Sequence, residues 1–247
     1  MTVALIAIAS MTVHPLGARA GGGPALDPDA TAGLDDPGWV PPPGSIRVAT
    51  LPSGLGTLPS DATGVVMPQE AGGDGFSWQG RMTSLFSYCV EPSRHDAKAI
   101  DMKGCFRVRR FDDAHDQQGN DYVGEAFSIF GDTKGGWKLD RLKGRSEQPG
   151  VEAVDWAPGA DQEFGNPQQV TVSAGFEGSG VSSTWTVYPG RTHPWVGRSV
   201  FHSSWISQNG GAKPGRSIQS LGAAVWRFSP GAAVHGDTGR AEAWLRK

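Results

Sequence analysis

His193 and His202 are the residues of this sequence best suited to moving a proton. Ser203, Ser204 and Arg198 stand close to them in the chain, and Glu125, Glu152 and Asp155 supply carboxylates elsewhere. A histidine held by a carboxylate and facing a hydroxyl can do general acid–base work. The competing expectation is plainer: His193 precedes Pro194 in a turn, where exposure is ordinary, and His202 shares a strand face with Arg198, toward solvent or a concave sheet surface. A second constellation suits binding rather than catalysis. Trp185, Tyr188, Trp195, Phe201, Trp205, Trp226 and Phe228 fall on neighbouring strand-like runs, with Arg191, Arg198, His202, Gln208 and Asn209 between them. Flat aromatic faces bordered by hydrogen-bonding groups suit sugar rings, and planar or apolar ligands too. Trp195, Trp205, Arg198 and Tyr188 are the candidate ligand-binding residues. The alternative for each tryptophan is a place in the core, where aromatic pairs stabilise sheets.

Other chemistry is sparse. Asp112, Asp113, His115, Asp116, Asn120 and Asp121 crowd one loop, and carboxylates that dense can hold Ca²⁺. The EF-hand spacing is absent, however, and Asp, Asn and Gly are also what a hairpin loop needs. No metal site and no cofactor is expected. The sequence has no G-x-S-x-G elbow, no H-E-x-x-H, no Walker loop and no G-x-G-x-x-G opening a helix. Net charge is −3, unevenly spread. Residues 21–75 carry seven acids against Arg47 alone, whereas residues 167–247 carry eight Lys and Arg against three acids. That excess is too dilute over a whole domain to argue for nucleic acid.

The elements that must position these residues read as strands. Val170, Val172, Ala174 and Phe176 alternate with small or polar residues, the period-2 mark of a half-buried strand. Gly178-Ser179-Gly180 permits a reversal, Ser182–Tyr188 alternates again, and Pro189-Gly190 breaks the run. Trp195 to Ile206 resumes it, with Trp195, Phe201 and Trp205 expected on one face. The whole reads as one antiparallel meander forming the core sheet. Further strands are expected near 80–90, 104–111, 121–130, 136–142, 151–157 and 217–229, each bounded by turn residues. Only Asp237 to Lys247 offers a short helix, with Ala241, Trp244 and Leu245 on one side. Many antiparallel strands without alternating helices predict an all-β fold, a large antiparallel sandwich of jelly-roll or supersandwich type. Cys89 and Cys105 flank the polar, helix-like segment 91–103 and, in an exported chain, most simply form a disulfide. The phrase WTVYPGRTHPWVGRSVF, within residues 182–201, resembles the paired strands of β-supersandwich domains of the galactose-mutarotase kind. That resemblance implies a large antiparallel sandwich and a connection with carbohydrate, and it carries no catalytic motif of that group.

Residues 1–20 read as a secretory signal peptide: Val3 to Val13 is a short apolar run, and Ala18-Arg19-Ala20 fits a small-x-small cleavage site. The run falls short of the roughly 20 apolar residues of a membrane span. The alternative is a buried N-terminal strand. Residues 21–75, with Pro41-Pro42-Pro43 and the Asp27-Pro28 and Asp36-Pro37 pairs, read as a Pro/Gly/Asp-rich arm or linker that can add edge strands at Ile46–Leu51 and Val65–Met67. Residues 76–247 form the antiparallel β domain. These features predict a secreted or cell-envelope protein that binds an extracellular polymer, carbohydrate first, through an aromatic sheet face. The alternatives are a carbohydrate-active lyase, hydrolase or epimerase using His193 or His202 with a carboxylate, and a structural or protein-binding envelope component.

Overall fold

The computed structural model describes residues 39–50, 54–59, 76–93, 96–112, 117–176, 179–208 and 210–247. The leader expected over residues 1–20, the arm before Trp39, the run Val65–Met67, Asn209, and Asp113, His115 and Asp116 of the acidic loop lie outside these residues. The described chain is nearly all β, with antiparallel sheets packed against one another as an all-β sandwich.

Three short strands open it: β1 (Ile46–Ala49), β2 (Thr57–Pro59) and β3 (Phe76–Gln79). Four long ones follow: β4 (Met82–Val90), β5 (Ile100–Phe111), β6 (Asp121–Thr133) and β7 (Lys138–Glu147). Then come β8 (Glu152–Ala157), β9 (Gln162–Phe164), β10 (Gln168–Phe176), β11 (Ser179–Val187), β12 (Gly190–Val196) and β13 (Val200–Ile206). The last three are β14 (Ile218–Phe228), β15 (Ala233–His235) and β16 (Arg240–Arg246). A six-stranded sheet has the order β1-β16-β7-β13-β12-β9, a five-stranded sheet β4-β5-β6-β14-β8, and a three-stranded sheet β10-β11-β3; β15 pairs with β2.

Alternation decides which side each strand buries. In β5, Ile100, Met102, Phe106 and Val108 are buried while Asp101, Lys103, Cys105 and Arg107 take the other side. The apolar set meets Leu142, Phe201, Trp205, Ala241, Ala243 and Leu245 of the six-stranded sheet in the main core. Phe127 stands at its centre, with ring centroids 5.8 Å from both Phe106 and Phe201. Glycines make room for it: a Cβ on Gly144 would lie 2.3 Å from the Phe127 ring, and one on Gly222 would lie 2.4 Å from it. The opposite side of the five-stranded sheet is lined by Phe111, Tyr122, Ala126, Ala223 and Val225, which pack on Ala174 and Val181 of the three-stranded sheet. The Gly175 N–H donates to Asp155 Oδ2 at 2.7 Å, tying β10 to β8.

Three expectations are corrected. The meander is not one sheet: β10 and β11 belong to the three-stranded sheet, and past Pro189-Gly190 the chain enters the six-stranded one as β12 and β13. Residues 237–247 form no helix, because Ala241, Ala243 and Leu245 all point into the core at period 2, and β16 lies between β1 and β7. Among its described residues, the segment after Cys89 contains a 3-10 turn at Asp96–Lys98 rather than a longer helix, with Ser93 Oγ donating to Asp96 Oδ2 at 2.8 Å, before β5 begins. The expected disulfide is present. Cys89 and Cys105 stand directly opposite in the β4–β5 ladder, with Cα atoms 4.1 Å apart.

Candidate functional site

The site assembles on the face of the six-stranded sheet turned away from the five-stranded one. Since Leu142, Phe201, Ala241 and Ala243 point into the core, their neighbours point outward: Arg141, Lys143 and Arg145 of β7, His202 and Ser204 of β13, and Arg240, Glu242 and Trp244 of β16. The ladder aligns Arg191, His193 and Trp195 of β12 with them, opposite Ile206, Ser204 and His202.

Three charged clusters hold this face together. Lys143 Nζ lies 2.7 Å from Glu242 Oε2, and Arg47 pairs with the other oxygen. Burial alone would raise the Glu242 carboxyl, but Lys143 and then Arg47 outweigh it and hold the group below its usual range. Arg141 is fully buried; its Nε and Nη2 donate to Ser204 Oγ at 3.0 and 2.8 Å. Its guanidinium lies over the rings of Trp39 and Trp244, 4.9 and 5.1 Å from their centroids, an arrangement favoured by the ring quadrupole. At the far edge, His193 Nδ1 sits 2.6 Å from Asp161 Oδ1, and Arg191 reaches the second oxygen at 3.6 Å.

His202 lies in the middle. Its ring stacks on Trp195 with centroids 5.1 Å apart and planes 23° from parallel, and it is only 3% exposed. Burial, and then the positive charges of Lys143 and Arg141, push its imidazolium down to about 2. A ring held that low is neutral at neutral pH and too weak a base to take up a proton there. Among the described residues its buried Nδ1 has no hydrogen-bond partner. Of the two histidines proposed for proton transfer, His193 with its carboxylate is therefore the one suited to it.

The other candidates are scattered. Trp205 is 2% exposed and belongs to the core. It lies on the opposite face from Trp195, because the turn at 197–199 pairs Val196 with Phe201 and so sets Trp195 beside His202. Trp205 and Phe201 thus share a face that Trp195 does not, which corrects the expectation of one aromatic face. The Trp205 indole N–H donates to the Tyr188 carbonyl at 3.2 Å. Tyr188 and Trp205 meet instead in a cavity of about 140 Å³, lined also by Ser207, Gln208 and Arg216. Arg198 is exposed in the β12–β13 turn rather than on the His202 strand face, and its carbonyl accepts the Ala153 N–H at 3.2 Å.

Arg141, Lys143, Arg145 and Asp161 were not singled out by sequence reasoning. A signal for the first three exists: in KLDRLKGRSE, Arg141, Lys143, Arg145 and Glu147 recur at every second position, the mark of a charged strand face. Asp161 has no such signal, since its link to His193 is made by the pairing of β9 with β12. Among the described residues no group of His, Cys, Asp and Glu could hold a metal ion, and no helix is long and apolar enough to cross a membrane. No protein-family model matches the chain, and no curated protein is significantly similar to it.

Proposed function

We propose that this chain binds an extracellular polymer, a carbohydrate first of all, across the outer face of the six-stranded sheet. One observation carries the reading: the half-buried indole of Trp195, backed by the stacked His202 ring, on the same strand face as His193 and two strands from Arg145. β9 pairs only with Gly190–Thr192 of β12, so among the described residues no paired strand flanks Trp195 on its far side. A partly exposed indole with one face packed, near polar donors, suits a sugar ring. A glycan array followed by calorimetry tests this. Trp195→Ala should lose binding while still melting as a folded protein, far less destabilised than a core variant such as Trp205→Ala; binding unchanged in that variant overturns the platform.

The His193–Asp161 pair at 2.6 Å favours a second reading, a carbohydrate-active enzyme in which His193 moves the proton. Release of new reducing ends by the wild type, lost in His193→Ala and Asp161→Asn, would establish it. Both readings place the protein outside the cytoplasm, where a structural disulfide persists. Mass spectrometry of secreted material should find a chain beginning at Gly21, and an intact Met1 in the cytoplasm would overturn that localisation.

A further inference from the structure

One row of the outer face runs straight across four strands: Trp195 opposite Ile206's strand-mate His202, His202 opposite Arg145, and Arg145 opposite Arg240. Adjacent strands lie about 4.8 Å apart, so the row makes a track about 14 Å long, in which Trp195, Arg145 and Arg240 reach solvent and His202 is buried. Two features of the track are unusual. Arg145 and Arg240 are directly opposed like charges, an arrangement that weakens a sheet unless something lies between them. The acids nearby are committed: Glu242 to Lys143 and Arg47, Asp161 to His193 and Arg191, and Glu147 to Arg145 itself, which leaves Arg240 as the uncompensated member of the pair. Arg240, exposed at the start of β16, makes no ion pair among the described residues. Beside this pair the buried Nδ1 of His202 lacks a partner among the described residues.

Resting on the polymer-binding reading, we propose that the polymer is an acidic polysaccharide: one sugar ring meets Trp195, and ring-borne oxyanions further along the chain sit between Arg145 and Arg240. Guanidinium groups suit this task because their forked donors match the two oxygens of a carboxylate or a sulfate. An oxyanion there removes the like-charge opposition. A neutral polymer leaves it in place.

The test compares three probes by calorimetry: a polygalacturonate oligomer, the same oligomer with its carboxyls reduced to alcohols, and dextran sulfate. The proposal expects an acidic probe to bind more tightly than the reduced oligomer, with the advantage shrinking as salt rises. Preference for polygalacturonate or for dextran sulfate identifies carboxylate or sulfate as the oxyanion. Arg240→Gln, at an exposed position where folding is undisturbed, should weaken the acidic probe by about five-fold and leave the reduced oligomer unchanged. Equal binding of acidic and reduced probes, or an equal effect of Arg240→Gln on both, overturns the acidic assignment and leaves the polymer reading standing. Failure of all three probes, together with an empty glycan array, overturns both.

Discussion

The sharpest quantitative consequence of the fold concerns Glu125, a carboxyl sealed in the main core. It is fully buried on β6. Gln148 Nε2 donates to its Oε2 at 3.2 Å, while among the described residues its Oε1 has no hydrogen-bond partner. Burial raises its pKa from 4.5 to about 7, only partly offset by the hydrogen bond from Gln148. A carboxyl raised in the folded state favours the fold while it is protonated. Its contribution is complete below the unfolded value of about 4.5 and is lost as pH rises through about 7. At about 1.4 kcal/mol per pH unit between the two values, the loss is on the order of 3 kcal/mol. Glu125→Gln keeps the shape and removes the titration. Urea unfolding of both proteins at pH 4.5 and pH 8 isolates the effect, since every other group is shared. The variant should match the wild type within about 1 kcal/mol at pH 4.5 and exceed it by on the order of 3 kcal/mol at pH 8. A difference that does not change with pH, or that favours the wild type at pH 8, would refute the reasoning.

Other outcomes follow from the same contacts. Trp205→Ala should destabilise by about 3–5 kcal/mol, and Trp195→Ala by about 1–2 kcal/mol because its ring is half-buried; thermal melts of the pair separate core from platform. Gly222→Ala, whose Cβ would lie 2.4 Å from Phe127 and 2.8 Å from Phe201, should cost about 1–3 kcal/mol. Phe127→Leu in the same chain should recover part of that cost, a coupling that a double-mutant cycle reads directly. Replacing Cys89 and Cys105 together by Ala opens a bridge between residues 16 apart and should cost about 3 kcal/mol in denaturant melts. The depressed His202 supplies stability above pH 6.5 that fades as pH falls below it; its ring ¹⁵N shifts should stay those of a neutral imidazole from pH 8 to pH 5.

Local alternation made most strands legible, because each strand's own burial pattern encodes its two faces. Phe106 and Val108, or Val181 and Trp185, announce an inward side without reference to any partner. The same logic misled at residues 237–247, where Ala241, Trp244 and Leu245 fit a helical stripe. What decides there is that β16 is flanked by β1 and β7, so Trp244 packs under Trp39 and Arg141 on the outer face. The aromatic platform was half legible. Trp195 and Trp205 each sit in a good strand, but their relative facing depends on how the turn between β12 and β13 is counted, and one residue in that count reverses it. Asp161 and His193 lie 32 positions apart in the chain; only a ladder joins them, and no spacing rule could.

The position of β1 has a consequence for how the molecule forms. Arg47 and Glu242 meet across 195 residues of chain, and β2 likewise waits for β15. Among the described residues, neither early strand has a ladder partner other than β16 and β15, the last two strands. β7, at the heart of the same sheet, must also hold one side open until β16 arrives. Closing these ladders is therefore a non-local step, in the regime where folding rates fall with the separation of contacting residues. Until that closure, the row from Trp195 to Arg240 exists only as scattered side chains, because its fourth member is delivered by the final strand.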